Sequence, residues 1–176
     1  GIEPNLELAA RTIAGVQAAG ARFVGQFSMA WNYGDHETGK GLFGVWDRLW
    51  TPSLLGPAPC PDPAAILERL PGGGLRCWPI EGRPYRTYSG CFCNPLWVAT
   101  LKAMVSRAIG LGVDGLMAHH NFTSFCGCAY CRQYLRDRLG ERFAAAELAA
   151  LYGGDPAAVA DLRTPAAAAP SPLAAQ

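Results

Sequence analysis

The chain has 176 residues, a formal net charge of +1 and 50% hydrophobic residues. That size and apolar content suit one globular domain with a real core, and the charge balance speaks against a nucleic-acid or polybasic membrane surface. No apolar run approaches the ~18 residues that a bilayer span needs, and Gly1-Ile-Glu-Pro lacks the basic and apolar regions of a signal peptide. Gly1 is not an initiator methionine, which leaves room for a processed chain or a fragment and keeps the compartment open.

Residues 5–19 carry apolar positions at helical spacing and stop at Gly20, which predicts a helix. Residues 21–30, with Phe23, Val24 and Phe27, read as a strand. From Trp31 to Pro61 the chain is rich in Gly, Pro and Trp without clear periodicity, which predicts a long functional or disordered loop. Asp62-Pro63 is a cap followed by proline at the first helical position, opening a short helix through Leu70. Pro71-Gly-Gly-Gly reads as a turn and residues 75–80 as a short strand. Asn94-Pro95 repeats the cap signal before a helix from Leu96 to Ile109, closed by Gly110 and Gly112. Residues 113–118 are short and apolar, the pattern of a buried parallel strand. A helix over Tyr130–Leu139 breaks near Gly140, a second runs from about Ala144 to Tyr152, and Asp155-Pro156 caps one more. Residues 164–176 are Ala/Pro-rich and predict a disordered tail, leaving residues 1–163 as the domain. The alternation of helices and strands predicts α/β organisation with parallel strands. Chemistry-bearing residues then follow the strands, on the face where such folds build their sites.

The cysteines are the sharpest signal. Seven of them, at 60, 77, 91, 93, 126, 128 and 131, make an odd count. That fits poorly with a fully paired secreted framework and tilts the expectation toward a reducing, cytoplasmic setting. In extended chain Cys126 and Cys128 point to one side, and Cys131 follows at first-turn helical spacing, so three thiols can converge. Zn²⁺ takes four Cys or His ligands tetrahedrally, so a fourth must come from elsewhere. A redox role for the Cys128-Ala-Tyr-Cys131 pair is the competing reading, and Cys126 beside it argues for metal.

The segments Cys91-Phe-Cys93-Asn-Pro-Leu-Trp97, Val113-Asp-Gly-Leu-Met117 and Cys126-x-Cys128-x-x-Cys131 together resemble the catalytic (β/α)8 barrel of family 42 β-galactosidases and related glycosyl-hydrolase-like barrels. The resemblance is close over about residues 85–142 and loose over 21–84. It implies a partial (β/α)8 TIM-barrel-like domain, a carbohydrate partner, and O-glycosyl hydrolase chemistry if the protein is active. It also implies a structural zinc held by Cys91, Cys126, Cys128 and Cys131, stapling successive βα loops. An extended Cys91-Phe-Cys93 puts both thiols on one side, so on spacing alone Cys93 rivals Cys91. Where the related barrels end this strand in a carboxylate, the chain has Ala118-His119-His120-Asn121, with His119 in the Asp position. Retaining glycosidases need two carboxyl groups about 5–5.5 Å apart, and a full barrel takes roughly 200–250 residues or more. The expectation is three or four strands, about half a barrel.

The candidate acid/base groups are His119, Glu81 and Asp35, and the candidate sugar contacts are Trp31, Asn32, His120 and Asn121. Histidine titrates near neutrality and can move protons, and aromatic faces stack on sugars. The plainer readings are a hydrogen-bonded structural histidine, an ordered loop with core tryptophans, and a solvated glutamate. His119 and His120, adjacent in a strand, are expected to face opposite ways, and Trp46 and Trp50 to pack together at i, i+4. The alternative function is a non-catalytic carbohydrate-binding or structural fragment that has lost the carboxylate pair. There is no Gly-rich phosphate loop, no GxSxG and no basic stripe, so neither nucleic acid nor a membrane is an expected partner.

Overall fold

The computed structural model describes residues 2–120 and 126–154. The chain divides into two compact units, residues 1–68 with 75–124, and residues 69–74 with 125–176. In the first lie helix α1 (Ile2–Ala18), strands β1 (Val24–Ser28), β2 (Trp31–Asp35) and β3 (Lys40–Gly41), and helix α2 (Leu42–Leu49). A 3-10 helix (Pro63–Ile66), strands β4 (Cys77–Pro79) and β5 (Arg86–Ser89), helix α3 (Pro95–Gly110) and strand β6 (Gly115–His119) follow. The second unit carries α4 (Ala129–Arg142) and α5 (Ala145–Tyr152). No helix among the described residues is long and apolar enough to cross a membrane. The Asp155-Pro156 helix and the Ala/Pro tail lie outside the described residues.

The fold is mixed α/β. β1 and β6 form a parallel pair, in register from Val24 opposite Gly115 to Ser28 opposite His119. β3-β2-β5-β4 form an antiparallel sheet. The described residues contain no closed barrel. The expected series of parallel strands is therefore corrected: residues 75–80 supply a strand to the antiparallel sheet. Its partner β5 went unread because Arg-Thr-Tyr-Ser is short and alternates only once Tyr88 is seen to face inward.

Local chemistry explains most of the elements. Asp62 caps its helix by accepting from the Ala64 amide at 2.8 Å. The expected helix to Leu70 nevertheless stops at Ile66, because Leu67 bridges to Gly90 and the Glu68 amide bonds the Ser89 carbonyl. Tertiary pairing takes the backbone groups that helix growth would need. Asn94 caps α3, its Oδ1 accepting from Leu96 at 3.0 Å while its Nδ2 donates to the Ala65 carbonyl at 2.6 Å. The aperiodic reading of residues 31–61 is also corrected, since they hold β2, β3 and α2. In α2, Leu42, Phe43 and Trp46 reach the core at helical spacing, and Trp46 meets Trp50 edge-on with centroids 5.1 Å apart.

The first core gathers Trp46, Ile66, Leu67, Tyr88, Trp97 and Leu101. The Trp97 indole lies over Gly90, where a Cβ would sit 2.1 Å from the ring, and its N–H donates to the Met29 carbonyl at 3.1 Å. In the second unit Leu139, Leu148 and Tyr152 form a smaller core. α4 runs through the exposed Gly140 to Arg142 and ends at an extended Phe143. A glycine costs an exposed helix only about 1 kcal/mol.

β6 was expected to be buried. It does pair in parallel, but Met117 is 50% exposed and Val24 on β1 59%. At the opposite ends of the two strands, Asp114 Oδ2 accepts from the Phe23 amide at 2.8 Å and from Gln17 Nε2 at 3.0 Å. The Gln17 bond and then the Phe23 amide hold its carboxyl below the usual range. This carboxylate tacks α1 to the strand starts, a structural role.

Candidate metal centre and strand-end cluster

The Sγ atoms of Cys91, Cys126, Cys128 and Cys131 all lie within 4.8 Å of one another. Four thiolates on a tetrahedron around zinc, each about 2.3 Å from it, sit about 3.8 Å apart. A modest contraction therefore brings the set to bonding geometry. Cys91 and Cys126 are buried and Cys128 and Cys131 partly so, whereas Cys93 is exposed and outside the cluster. The sequence could not separate Cys91 from Cys93 because the alternation argument assumed extended chain. In fact the Asn94 amide bonds the Cys91 carbonyl at 2.9 Å, closing a turn that sends the two thiols apart.

Backbone amides already point at the sulfurs. The Arg69 N–H donates to Cys126 Sγ at 3.2 Å, and the Cys131 N–H to Cys128 Sγ at 3.4 Å. Cys128 is also the N-cap of α4, whose first turn carries partial positive charge. Gly127 lets the strand of cysteines approach the 69–71 segment: its amide bonds the Arg69 carbonyl at 2.7 Å, and a Cβ there would meet the Leu70 carbonyl oxygen at 2.6 Å. The Arg132 guanidinium donates to the Gly127 carbonyl and locks the same loop. Four clustered cysteine sulfurs are a set that could hold a metal ion.

The second cluster stands where β1 and β6 end. Ser28 and His119 are directly opposite in register. His120 follows with φ 51°, a left-handed backbone that few non-glycine residues adopt. This breaks the strand alternation, so the expectation of opposed histidines is corrected: the two rings meet edge-on with centroids 3.7 Å apart. The His120 ring stacks on Trp31 (3.9 Å, 10°), and its Nδ1 lies 3.3 Å from Ser28 Oγ. Burial, and then the neighbouring His119 charge, push the His120 pKa below its ordinary value. Ser28 was not singled out in the sequence, although its place at the end of a predicted strand was a usable signal. Asn32, one residue along β2, donates from Nδ2 to the Ala30 carbonyl at 3.1 Å. Asn121 lies outside the described residues.

The two candidate carboxylates stand elsewhere. Asp35 is at the far end of β2 from Trp31, and its Oδ1 accepts from the Glu37 and Thr38 amides at 2.9 and 3.0 Å. The Thr38 bond is the main reason its carboxyl is held below the usual range. Glu81 was expected on a βα loop, but it lies in the turn joining antiparallel β4 to β5. The register, with Pro79 opposite Arg86 and Arg86 opposite Gly34, puts the Glu81 turn at the same end of the sheet as Asp35, the end away from Trp31. The described side chains thus bring Trp31, His119, His120 and Ser28 together and leave that group without a carboxylate of the expected set. No protein-family model matches the chain, and neither a curated protein nor a solved structure is significantly similar to it.

Proposed function

We propose that this chain is a zinc-stapled, partial-barrel-like α/β domain that recognises carbohydrate rather than hydrolysing it. The cysteine set supports the zinc: four thiols and inward amides match the ligand chemistry of a closed structural site. The observation that carries the recognition reading is the stack of His120 on Trp31, with His119 and Ser28 beside it at the C-terminal ends of a parallel pair. An aromatic face edged by imidazoles and a hydroxyl offers stacking together with donors and acceptors for sugar hydroxyls. Hydrolysis lacks its carboxylate pair at this cluster, since Asp35 is occupied in a turn and Glu81 lies in the β4–β5 turn, both at the sheet end away from Trp31.

A panel of immobilised neutral glycans, read alongside turnover of aryl glycosides, tests this. Binding to at least one glycan class that falls at least tenfold in Trp31→Ala, with no turnover, is the expected result. Turnover that disappears in His119→Ala would replace the binding domain with a glycosidase. Failure to bind any member of the panel would end the carbohydrate reading. For the metal, elemental analysis is expected to find about one zinc per chain, retained in Cys93→Ser and lost in Cys91→Ser. A folded protein free of metal would remove the zinc.

A further inference from the structure

One face of the antiparallel sheet packs on the core, and the other carries Trp31, Tyr33, Asp35, Thr87, Ser89 and Trp78, of which Thr87 and Ser89 are buried and Tyr33 and Trp78 exposed. Tyr88, in the core, fixes which side is inward. Because side chains alternate, Tyr33 and Asp35 share the opposite side on β2, with Thr87 on β5 and Trp78 on β4. Cross-strand register aligns them: Tyr33 is opposite Thr87, and Thr87 is opposite Trp78. Thr87 is nearly buried beneath the row, while Tyr33 is 50% and Trp78 40% exposed. Tyr85, ahead of β5, is also exposed.

Two half-exposed rings thus flank a small β-branched residue in one row across three strands. Neighbouring strands lie about 4.8 Å apart, so Tyr33 and Trp78 stand roughly 9.5 Å from each other across the sheet. That is close to the length of two sugar units in an extended β-1,4-linked glycan, whose alternate rings would each meet an aromatic side chain. The charge on the face points the same way. Its two charged strand residues, Asp35 and Lys40, are opposite each other in register and of opposite sign. A single-stranded nucleic acid also stacks on aromatic sheet faces, but it needs a basic groove along its phosphates, and the face has none.

We propose that this face is a binding platform for an extended, uncharged β-1,4-linked glycan, with Tyr33 and Trp78 as the stacking residues. The proposal rests on the carbohydrate reading of the domain and adds to it the kind of chain and the place where it lies.

The test is calorimetric titration of the whole chain with disaccharide and hexasaccharide forms of β-1,4-linked glucan, mannan and xylan, and with a twenty-residue oligothymidylate. At least one hexasaccharide is expected to bind at least tenfold more tightly than its disaccharide. Trp78→Ala and Tyr33→Ala should each remove most of that gain, and Trp78→Phe should keep a good part of it. Both side chains are exposed, so the alanine variants should melt with the parent protein, and a melting curve checks this. Equal affinity for the two lengths, untouched by either substitution, would overturn the platform and leave carbohydrate recognition standing. Binding to none of the six sugars would overturn the platform, and the glycan panel described above then decides separately whether the domain binds carbohydrate at all. Tight oligothymidylate binding lost in Trp78→Ala would reassign the face to single-stranded nucleic acid.

Discussion

At the scale of single residues, two positions are held in ways that a substitution can expose. Gly90 lies under the Trp97 ring, which is itself fully packed and hydrogen-bonded to Met29. A methyl group there must displace an indole with nowhere to go. Gly90→Ala is expected to destabilise the protein by about 3 kcal/mol, the upper part of the usual range for overpacking, read as a lower urea midpoint at unchanged m-value. His120 offers a pH signature. Its pKa in the folded chain is depressed, first by burial and second by His119. The unfolded chain therefore takes up the proton first as pH falls. The contribution to stability is intact above the ordinary value of 6.5 and declines as pH drops through the depressed folded value. Proton NMR titration of the imidazole should give a midpoint below 6.5, and His119→Gln should raise it only in part.

At the scale of elements, what the sequence announced and what it concealed divide by range. Asp62-Pro63 and Asn94-Pro95 were legible because a cap is a local event, one side chain bonding an amide two residues on. The two caps should differ in strength. Asp62→Ala loses one cap bond and is expected to cost about 1 kcal/mol. Asn94 is buried and also satisfies the Ala65 carbonyl, so Asn94→Ala is expected to cost about 2 kcal/mol or more. Chemical denaturation of the two variants side by side checks the order, and equal losses would contradict it. α2 was legible in principle, since Leu42, Phe43, Trp46 and Leu49 keep helical spacing, but the surrounding Gly and Pro obscured it. β5 and β3 were not legible, because strands of four and two residues carry no period of their own and exist only through their partners. The same limit hid the contact of the two histidines, which depends on one left-handed residue.

At the scale of the whole molecule, the described residues include an apolar cluster around Trp97 in the first unit and one around Leu139 in the second. None of the residues that build the larger cluster is among the four cysteines or the loop that carries three of them. If the cysteines hold the proposed ion, its removal with excess chelator is therefore expected to act selectively. Amide hydrogen exchange should accelerate at Arg69, Gly127 and Cys131, whose N–H groups bond into the cysteine loop. Amides in the middle of α3, around Leu101, should keep their protection. Uniform loss of protection along the chain would instead make the metal a condition for folding at all. The candidate site was legible to a similar degree. The cysteine set stood out because metal chemistry restricts residue type and number, while the Trp31 and His120 pairing needed the register of distant strands.

The edge-on contact of Trp46 and Trp50 has an optical consequence. Two indoles fixed 5.1 Å apart at 61° couple their ultraviolet transitions, so the folded chain should show a paired positive and negative band in circular dichroism. Replacing Trp50 alone would abolish that couplet. The chain therefore carries an intrinsic chromophore pair that reports whether the last turn of α2 is wound, with no label attached.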